Sequence, residues 1–258
     1  MLVSAVGNDD SGKFLLDTLA RAEVDTTGVA ILSNYPTGIA EVELDDEGVA
    51  HFNIHQNVAL DHLEATPSLI DAVRKADAVC FGTLAQRSDL SSRATRTLVE
   101  NAGPDTLRIF DLNLRVKPLQ TEVISQSLAL ADLLKLNEDE LEILSELHGL
   151  RGGIRERLAG LLRLHDLKWI VCTLGSHGSI LHDGSRWSEH PGCPAVIRDT
   201  VGAGDSFLAT VTLGILKGWP LDAISQTANE IAAHVCAHDG AVPTLPEELR
   251  GRFSNGSF

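Results

Sequence analysis

Leu133-Leu134-Lys135-Leu136-Asn137-Glu138-Asp139-Glu140 passes from a short apolar run straight into an acidic stretch. The run is bounded too tightly for a helix and does not alternate, so it reads as a strand buried on both faces. Asn137 stands where a helix N-cap is favoured, and Glu138 to His148 reads as the helix that follows. The same unit recurs on both sides. Upstream, Ala78–Gly82 reads as a strand, Ser91–Ala102 as a helix, Leu107–Asp111 as a strand and Val123–Ala131 as a helix. Downstream, Ile154–Leu164 reads as a helix, Trp169–Thr173 as a strand and Ile224–Cys236 as a helix. Strands alternating with helices predict an α/β fold whose parallel sheet is covered on both faces. Gly82, Asp111, Asn137 and Thr173 end their strands, and ligands of open α/β sheets bind beyond strand C-termini.

The N-terminal part departs from this rhythm. Leu15 to Ala22 reads as a helix after an Asp10-Ser11-Gly12 turn. Gly38–Leu44 alternates polar and apolar residues, Asp45-Asp46-Glu47-Gly48 turns the chain, and Val49–Ile54 alternates again. That pattern predicts a hairpin with one buried face. No low-complexity linker or internal repeat interrupts the chain, which reads as a single domain over 1–258 with a frayed end after Ser254.

Near the C-terminus, Asp199-Thr200-Val201-Gly202-Ala203-Gly204-Asp205 runs into the small-residue helix Ser206–Gly214. A Gly-Ala-Gly turn at a helix start leaves backbone N–H groups without carbonyl partners. Those donors and the positive end of the helix dipole suit an anion, typically phosphate. Asp205 stands at the lip of the turn as a candidate general base. An anion cradle beside a base is what phosphoryl transfer to a hydroxyl needs. The plainer alternative is an aspartate serving only as a helix cap.

This heptad resembles the signature of the ribokinase-like (PfkB) carbohydrate kinases, and further segments match that family in order. Ala5-Val6-Gly7-Asn8-Asp9-Asp10-Ser11-Gly12 resembles its early glycine turn. Cys80–Arg87 and Phe110–Arg115 are similar to its fructokinase branch, and Asn137 with Glu140 to its Asn-x-x-Glu element. Thr173–Gly178 resembles its nucleotide-side glycine turn and His238–Ala241 its late loop. The resemblance spans Val3 to Pro246. It implies a three-layer sandwich with a mostly parallel central sheet and a small β lid at about 36–56. It also implies ATP-dependent phosphorylation of a sugar hydroxyl, with fructose first and ribose or 2-keto-3-deoxygluconate as alternatives. A nucleoside acceptor also stays open.

Residue by residue, the resemblance implies Asp205 as base, with Gly202, Ala203 and Gly204 supplying N–H donors to the transferred group. Thr173, Gly175 and Gly178 would lie against ATP, Asn229 near adenine, and Asn137 and Arg115 on the nucleotide side. Asn137 and Glu140 would organise Mg²⁺, chiefly through water; a plain acidic helix cap is the competing reading. Asp199 and the Val201 carbonyl would hold a monovalent cation such as K⁺. Arg87 is the candidate sugar contact. Asp111, Asn113 and Arg115, taken as one alternating extended segment, would share a face toward substrate or phosphates. A salt bridge between Asp111 and Arg115 is the alternative there.

In the family the early glycine turn lies well inside the chain, after a first strand and a sugar-holding segment. Here it lies a few residues after Met1. Either the start was called too late or the chain is truly short; in the second case the expectation is a kinase that acts poorly as it stands or only binds sugar or nucleotide. An uncovered strand edge would favour self-association as a homodimer.

Composition sets outer limits. The chain has 258 residues, enough for a substantial core, and a formal net charge of −15. Such acidity argues against a nucleic-acid partner but not against ATP, because local N–H groups and a metal ion outweigh a global field. Cys80, Cys172, Cys193 and Cys236 form no Cys-x-x-Cys pair; Cys80 and Cys172 read as buried strand thiols. No signal peptide or membrane-length apolar run is visible, so a cytoplasmic location without a membrane partner is expected. A NAD-dependent dehydrogenase is disfavoured, because no Gly-x-Gly-x-x-Gly follows the first strand.

Overall fold

In the computed structural model, which describes residues 1–44, 50–115 and 119–255, the apolar runs become strands and the periodic segments between them become helices. The chain divides into two compact units. The first comprises Met1–Thr106 and Arg115–Ile124, the second Leu107–Leu114 and Ser125–Phe258.

The first unit opens with β1 (Val3–Gly7), α1 (Asp10–Arg21) and β2 (Gly28–Leu32). β1 and β2 pair in parallel, with Val3 opposite Gly28 and Gly7 opposite Leu32. Helix α1 begins earlier than the expected Leu15, because Asp9 caps it by accepting from the Gly12 N–H at 2.8 Å. Asp9 also accepts from the Thr37 hydroxyl (2.6 Å) and N–H (2.8 Å), and the Thr37 hydroxyl accepts from Gly7 N–H (2.9 Å). These bonds hold the Asp9 carboxyl below its ordinary range, those from Thr37 contributing most. The early glycine turn is thus a knot tying the end of β1 to the chain ahead of β3.

β3 (Ala40–Leu44) and β4 (Ala50–Ile54) form the expected hairpin, with Ala40 opposite Ile54 and Leu44 opposite Ala50. Its turn at 45–48 lies outside the described residues. α2 (Pro67–Val73), β5 (Ala78–Gly82) and α3 (Asp89–Glu100) follow. Cys80 corrects one expectation. It is exposed, while Phe81 beside it is buried. Neighbouring strand residues point to opposite faces, and only one face of this apolar run is covered.

The second unit carries β6 (Leu107–Asp111), β7 (Leu133–Asn137), β8 (Trp169–Thr173), β9 (Ser179–His182) and β10 (Trp187–His190). α4 (Thr121–Leu130) follows β6, and α5 (Glu138–His148) and α6 (Ile154–Leu164) lie between β7 and β8. β6, β7 and β8 are parallel; β9 and β10 continue the sheet antiparallel. The Leu174–Gly178 link is too short for a crossover, so the chain after β8 can only double back. Ile109, Phe110, Leu133, Leu134, Leu136, Ile170 and Val171 are fully buried, as strands covered on both faces require. α7 (Ala203–Leu216) packs on α8 (Leu221–Cys236), where Ile224 and Trp219 take the space beside Gly214, and α8 packs on β9 and β10. α9 (Glu247–Asn255) is the last helix described. Among the described residues, no helix is long and apolar enough to cross a membrane.

Candidate active site

The C-terminal ends of β6, β7 and β8 carry Asp111, Asn137 and Thr173, and the start of α7 supplies the heptad turn. A cleft of about 690 Å³ in the second unit brings together Asn137, Thr173, Gly175, Gly178, Gly204 and Asn229. Its volume is that of an ordinary small-molecule or cofactor site. Ala203 also lines it. The wall at Pro191, Gly192 and Cys193 went unread, because a loop without periodicity gives no signal in sequence.

The heptad turn is shaped by close backbone packing. Gly202 caps α7 in the left-handed region (φ 82°), and no side chain caps that helix start. A Cβ on Gly202 would overlap the Ala241 carbonyl. Only glycine therefore fits, on both conformational and steric grounds. Asp199 fastens the same two segments: its carboxylate accepts from Val201 N–H (2.9 Å) and Gly240 N–H (3.2 Å). The late His238–Ala241 loop thus packs on the turn, while Asp205 is exposed in the first turn of α7. Gly178 is the second constrained glycine (φ 86°), since a Cβ there would overlap the His190 carbonyl.

Asn137 and Glu140 form a reciprocal cap. The Asn137 side chain accepts from Glu140 N–H (2.8 Å), and Glu140 accepts from Asn137 N–H (2.9 Å). The other Glu140 oxygen accepts from Leu114 N–H (2.8 Å). The helix-cap reading is therefore realised. Each oxygen retains a further lone pair, which suits a hydrated cation better than direct ligation. Among the described residues no cluster of three or more acidic, histidine or cysteine side chains has metal-binding geometry.

Lys135 is the residue that sequence reading passed over. It is 7% exposed, and its Nζ donates to Asp111 Oδ1 at 3.0 Å. Its signal was a single charge inside an otherwise apolar strand. Burial pushes the Asp111 carboxyl above its ordinary value; Lys135 opposes the shift, and the charges of Glu140 and Asp205 add to it. Asp111, Glu140 and Asp205 thus share one electrostatic neighbourhood.

The expected common face of Asp111, Asn113 and Arg115 is not formed. β6 ends at Asp111, and Asn113 turns into the left-handed region (φ 36°), which breaks the extended alternation. Arg115 is exposed and belongs to the first unit. Asp111 pairs with Lys135. Arg87, also of the first unit, donates from Nε and Nη2 to the two Asp61 oxygens (2.6 and 2.9 Å) and from Nη2 to the His55 carbonyl (2.5 Å). Asn229 is buried and donates to Ser179 Oγ and the Ser225 carbonyl, both at 2.8 Å. Cys172 lies in β8 with its thiol pushed up to about 12, chiefly by burial, which leaves it protonated and inert.

Comparison with known proteins agrees with this fold. A sugar kinase of Pyrococcus horikoshii is 29% identical over 251 residues, which are 94% of this chain and 76% of that protein. Its structure in complex with ATP superposes with a TM-score of 0.76 over 93% of this chain and 78% of that one. The fructokinase of Klebsiella pneumoniae is 28% identical over 95% of this chain and 82% of its own length. Ribokinase from Thermotoga maritima shares the fold at 22% identity, with a TM-score of 0.78 over 98% of this chain and 80% of that one. The sequence pattern of the pfkB family carbohydrate kinases matches residues 1–248. With the heptad turn, the cleft beside it and this match running nearly end to end, the chain belongs to the pfkB family of carbohydrate kinases.

Proposed function

We propose that this protein transfers the γ-phosphoryl group of ATP to a hydroxyl of a small sugar, fructose in the first instance. The observation that carries the reading is the cleft running from Asn229 to the start of α7, where no side chain caps the helix and Asp205 stands in the first turn. ATP lies in it with the adenine toward Asn229, the ribose and phosphates along Thr173, Gly175 and Gly178, and the γ-phosphate at Gly202–Gly204. Asp205 takes the proton of the sugar hydroxyl as that oxygen bonds to the γ-phosphorus. The bond to the bridging oxygen breaks and ADP leaves. The N–H groups of the turn hold charge on the transferred group as an oxyanion hole does. Asn137 and Glu140 hold Mg²⁺ through water, and the ion, when bound, offsets phosphate charge. Asp199 and the backbone of Val201 would hold a monovalent cation in this scheme. Fructose is favoured by the similarity to a fructokinase.

The test is an ADP-release assay with fructose, ribose, 2-keto-3-deoxygluconate and a nucleoside. Fructose-dependent release above the sugar-free rate is expected. A preference for ribose or a nucleoside would replace the acceptor and keep the kinase. No acceptor-dependent release with any of them would overturn the proposal.

Glu140→Gln separates the two uses of that side chain. Gln keeps one acceptor oxygen and turns an amide NH₂ toward the other N–H, so one of the bonds from Asn137 and Leu114 is lost and stability falls by about 1–3 kcal/mol. If Glu140 also orders hydrated Mg²⁺, the half-saturating Mg²⁺ concentration rises about 10–100-fold. A lower melting temperature with unchanged Mg²⁺ dependence would leave Glu140 as a cap alone.

A further inference from the structure

Lys135 is a buried cation that the transfer described above does not use. It sits in β7 between the fully buried Leu134 and Leu136, and its side chain is 8% exposed. Burying an ammonium is costly, and a buried ion pair is a weak source of stability compared with apolar packing. The cost therefore asks for another return, and the geometry supplies one. A Cβ on Gly204 would lie 3.4 Å from Lys135 Nζ, so the ammonium reaches the inner side of the heptad turn. Gly204 lines the cleft, so the ammonium stands directly behind one wall of it, at a position that carries no side chain. An ammonium has three donors, and Asp111 takes one of them at 3.0 Å. The acidic neighbours Asp111, Glu140 and Asp205 would repel a polyphosphate entering alone.

We propose that Lys135 is a catalytic cation of this enzyme, held by Asp111 at the heptad turn so that its ammonium binds the transferred phosphoryl group. Asp111 is then a positioning residue that fixes the ammonium from the neighbouring strand. The proposal rests on the kinase reading. It adds a side-chain charge to a turn that otherwise offers only backbone donors. As the phosphoryl group passes between oxygens, charge spread over its equatorial oxygens meets a cation already in place, with no reorganisation needed at that moment.

The experiment compares Lys135→Met, Lys135→Arg and the double variant Lys135→Met/Asp111→Asn with the wild-type chain. Readouts are kcat and KM in the ADP-release assay, urea unfolding, and calorimetric affinities for ATP and for ADP without sugar. Lys135→Met should lower kcat about 10²–10³-fold, the range for losing one preorganised donor. The ratio of ATP to ADP affinity should fall about 10–100-fold, because the ammonium serves the γ-phosphate. Lys135→Arg should recover part of both. The double variant removes the unpaired buried carboxylate, so it should regain stability while staying slow. Wild-type kcat and affinity ratio in the double variant would reduce Lys135 to a structural pair and overturn the proposal. The affinity ratio separates this failure from that of the kinase reading. A wild-type chain that prefers ATP over ADP yet phosphorylates none of the sugars would overturn the acceptor, and Lys135→Met would still have to remove the preference. A wild-type chain without that preference would overturn both.

Discussion

Asp205→Asn lowers kcat by about 10²–10⁴-fold and leaves ATP affinity within a few-fold of wild type. The change keeps the size of the side chain and its position in the first turn of α7, but removes the base. Helix α7 survives, because its fold rests on Phe207, Leu208 and Val211 buried beneath the turn and on the packing of α7 against α8. Asp205 itself is exposed, so no buried partner is orphaned by the substitution. The measurement is steady-state turnover beside calorimetric ATP binding. Turnover within about threefold of wild type would remove Asp205 from the chemistry and leave it as an acidic residue favourable at a helix start.

Arg87→Met destabilises the first unit by about 3–5 kcal/mol, the cost of leaving a buried carboxylate unpaired. The side chains of Arg87 and Asp61 are 7% and 8% exposed, and the guanidinium also serves the His55 carbonyl. In the wild type, burial alone would raise the Asp61 carboxyl. The bonds from Arg87 and the Val58 N–H outweigh it and hold the group below 3.8. The pair's contribution is therefore fully present above that value and fades as pH falls through the folded-state value. In Arg87→Met the guanidinium's contribution is gone, while the bonds from the Val58 and Asn57 N–H groups still oppose burial. The variant therefore has less ion-pair stability to lose than the wild type, so the deficit narrows on acidification. Urea unfolding from about pH 2 to pH 8 reads both effects, and adding Asp61→Asn should restore most of the loss. Unchanged stability with a raised KM for sugar would return Arg87 to the role of a sugar contact.

Much of the site was legible because its chemistry requires particular backbones. The heptad could be read as a tight turn into a helix because Gly-Ala-Gly leaves the backbone free, and the structure shows the left-handed Gly202 packed against Ala241. Thr173, Gly175, Gly178 and Asn229 could be placed on one site, and they line one cleft. Asn137 and Glu140 were legible as a pair because their spacing is that of a capping box. Strands β6, β7 and β8 and helix α6 were legible because burial on two faces, or on one helical stripe, imposes a pattern on neighbouring residues.

Other features depended on residues far apart in sequence. β9 and β10, of four residues each, carry polar residues inside strands and show no clear period. They are strands because β8 offers an edge to a chain that must turn back. Cys80 and Phe81 lie in the same apolar run, yet only the sheet decides which of them is covered. The break at Asn113 comes from a backbone turn that residue alternation cannot express. The sharpest case is charge pairing. Asp111 could have met Arg115, its near neighbour in sequence, and nothing adjacent in the chain names a partner for Arg87. In the fold Asp111 meets Lys135 across adjacent strands and Arg87 meets Asp61. By itself the sequence determined the α/β rhythm, the tight glycine turn into α7 and the capped acidic helix, since each is written in residues adjacent in the chain or one turn apart. Tertiary structure alone decided which charges meet, because a buried charge takes whichever partner the packing brings within about 3–4 Å, whatever their separation in sequence.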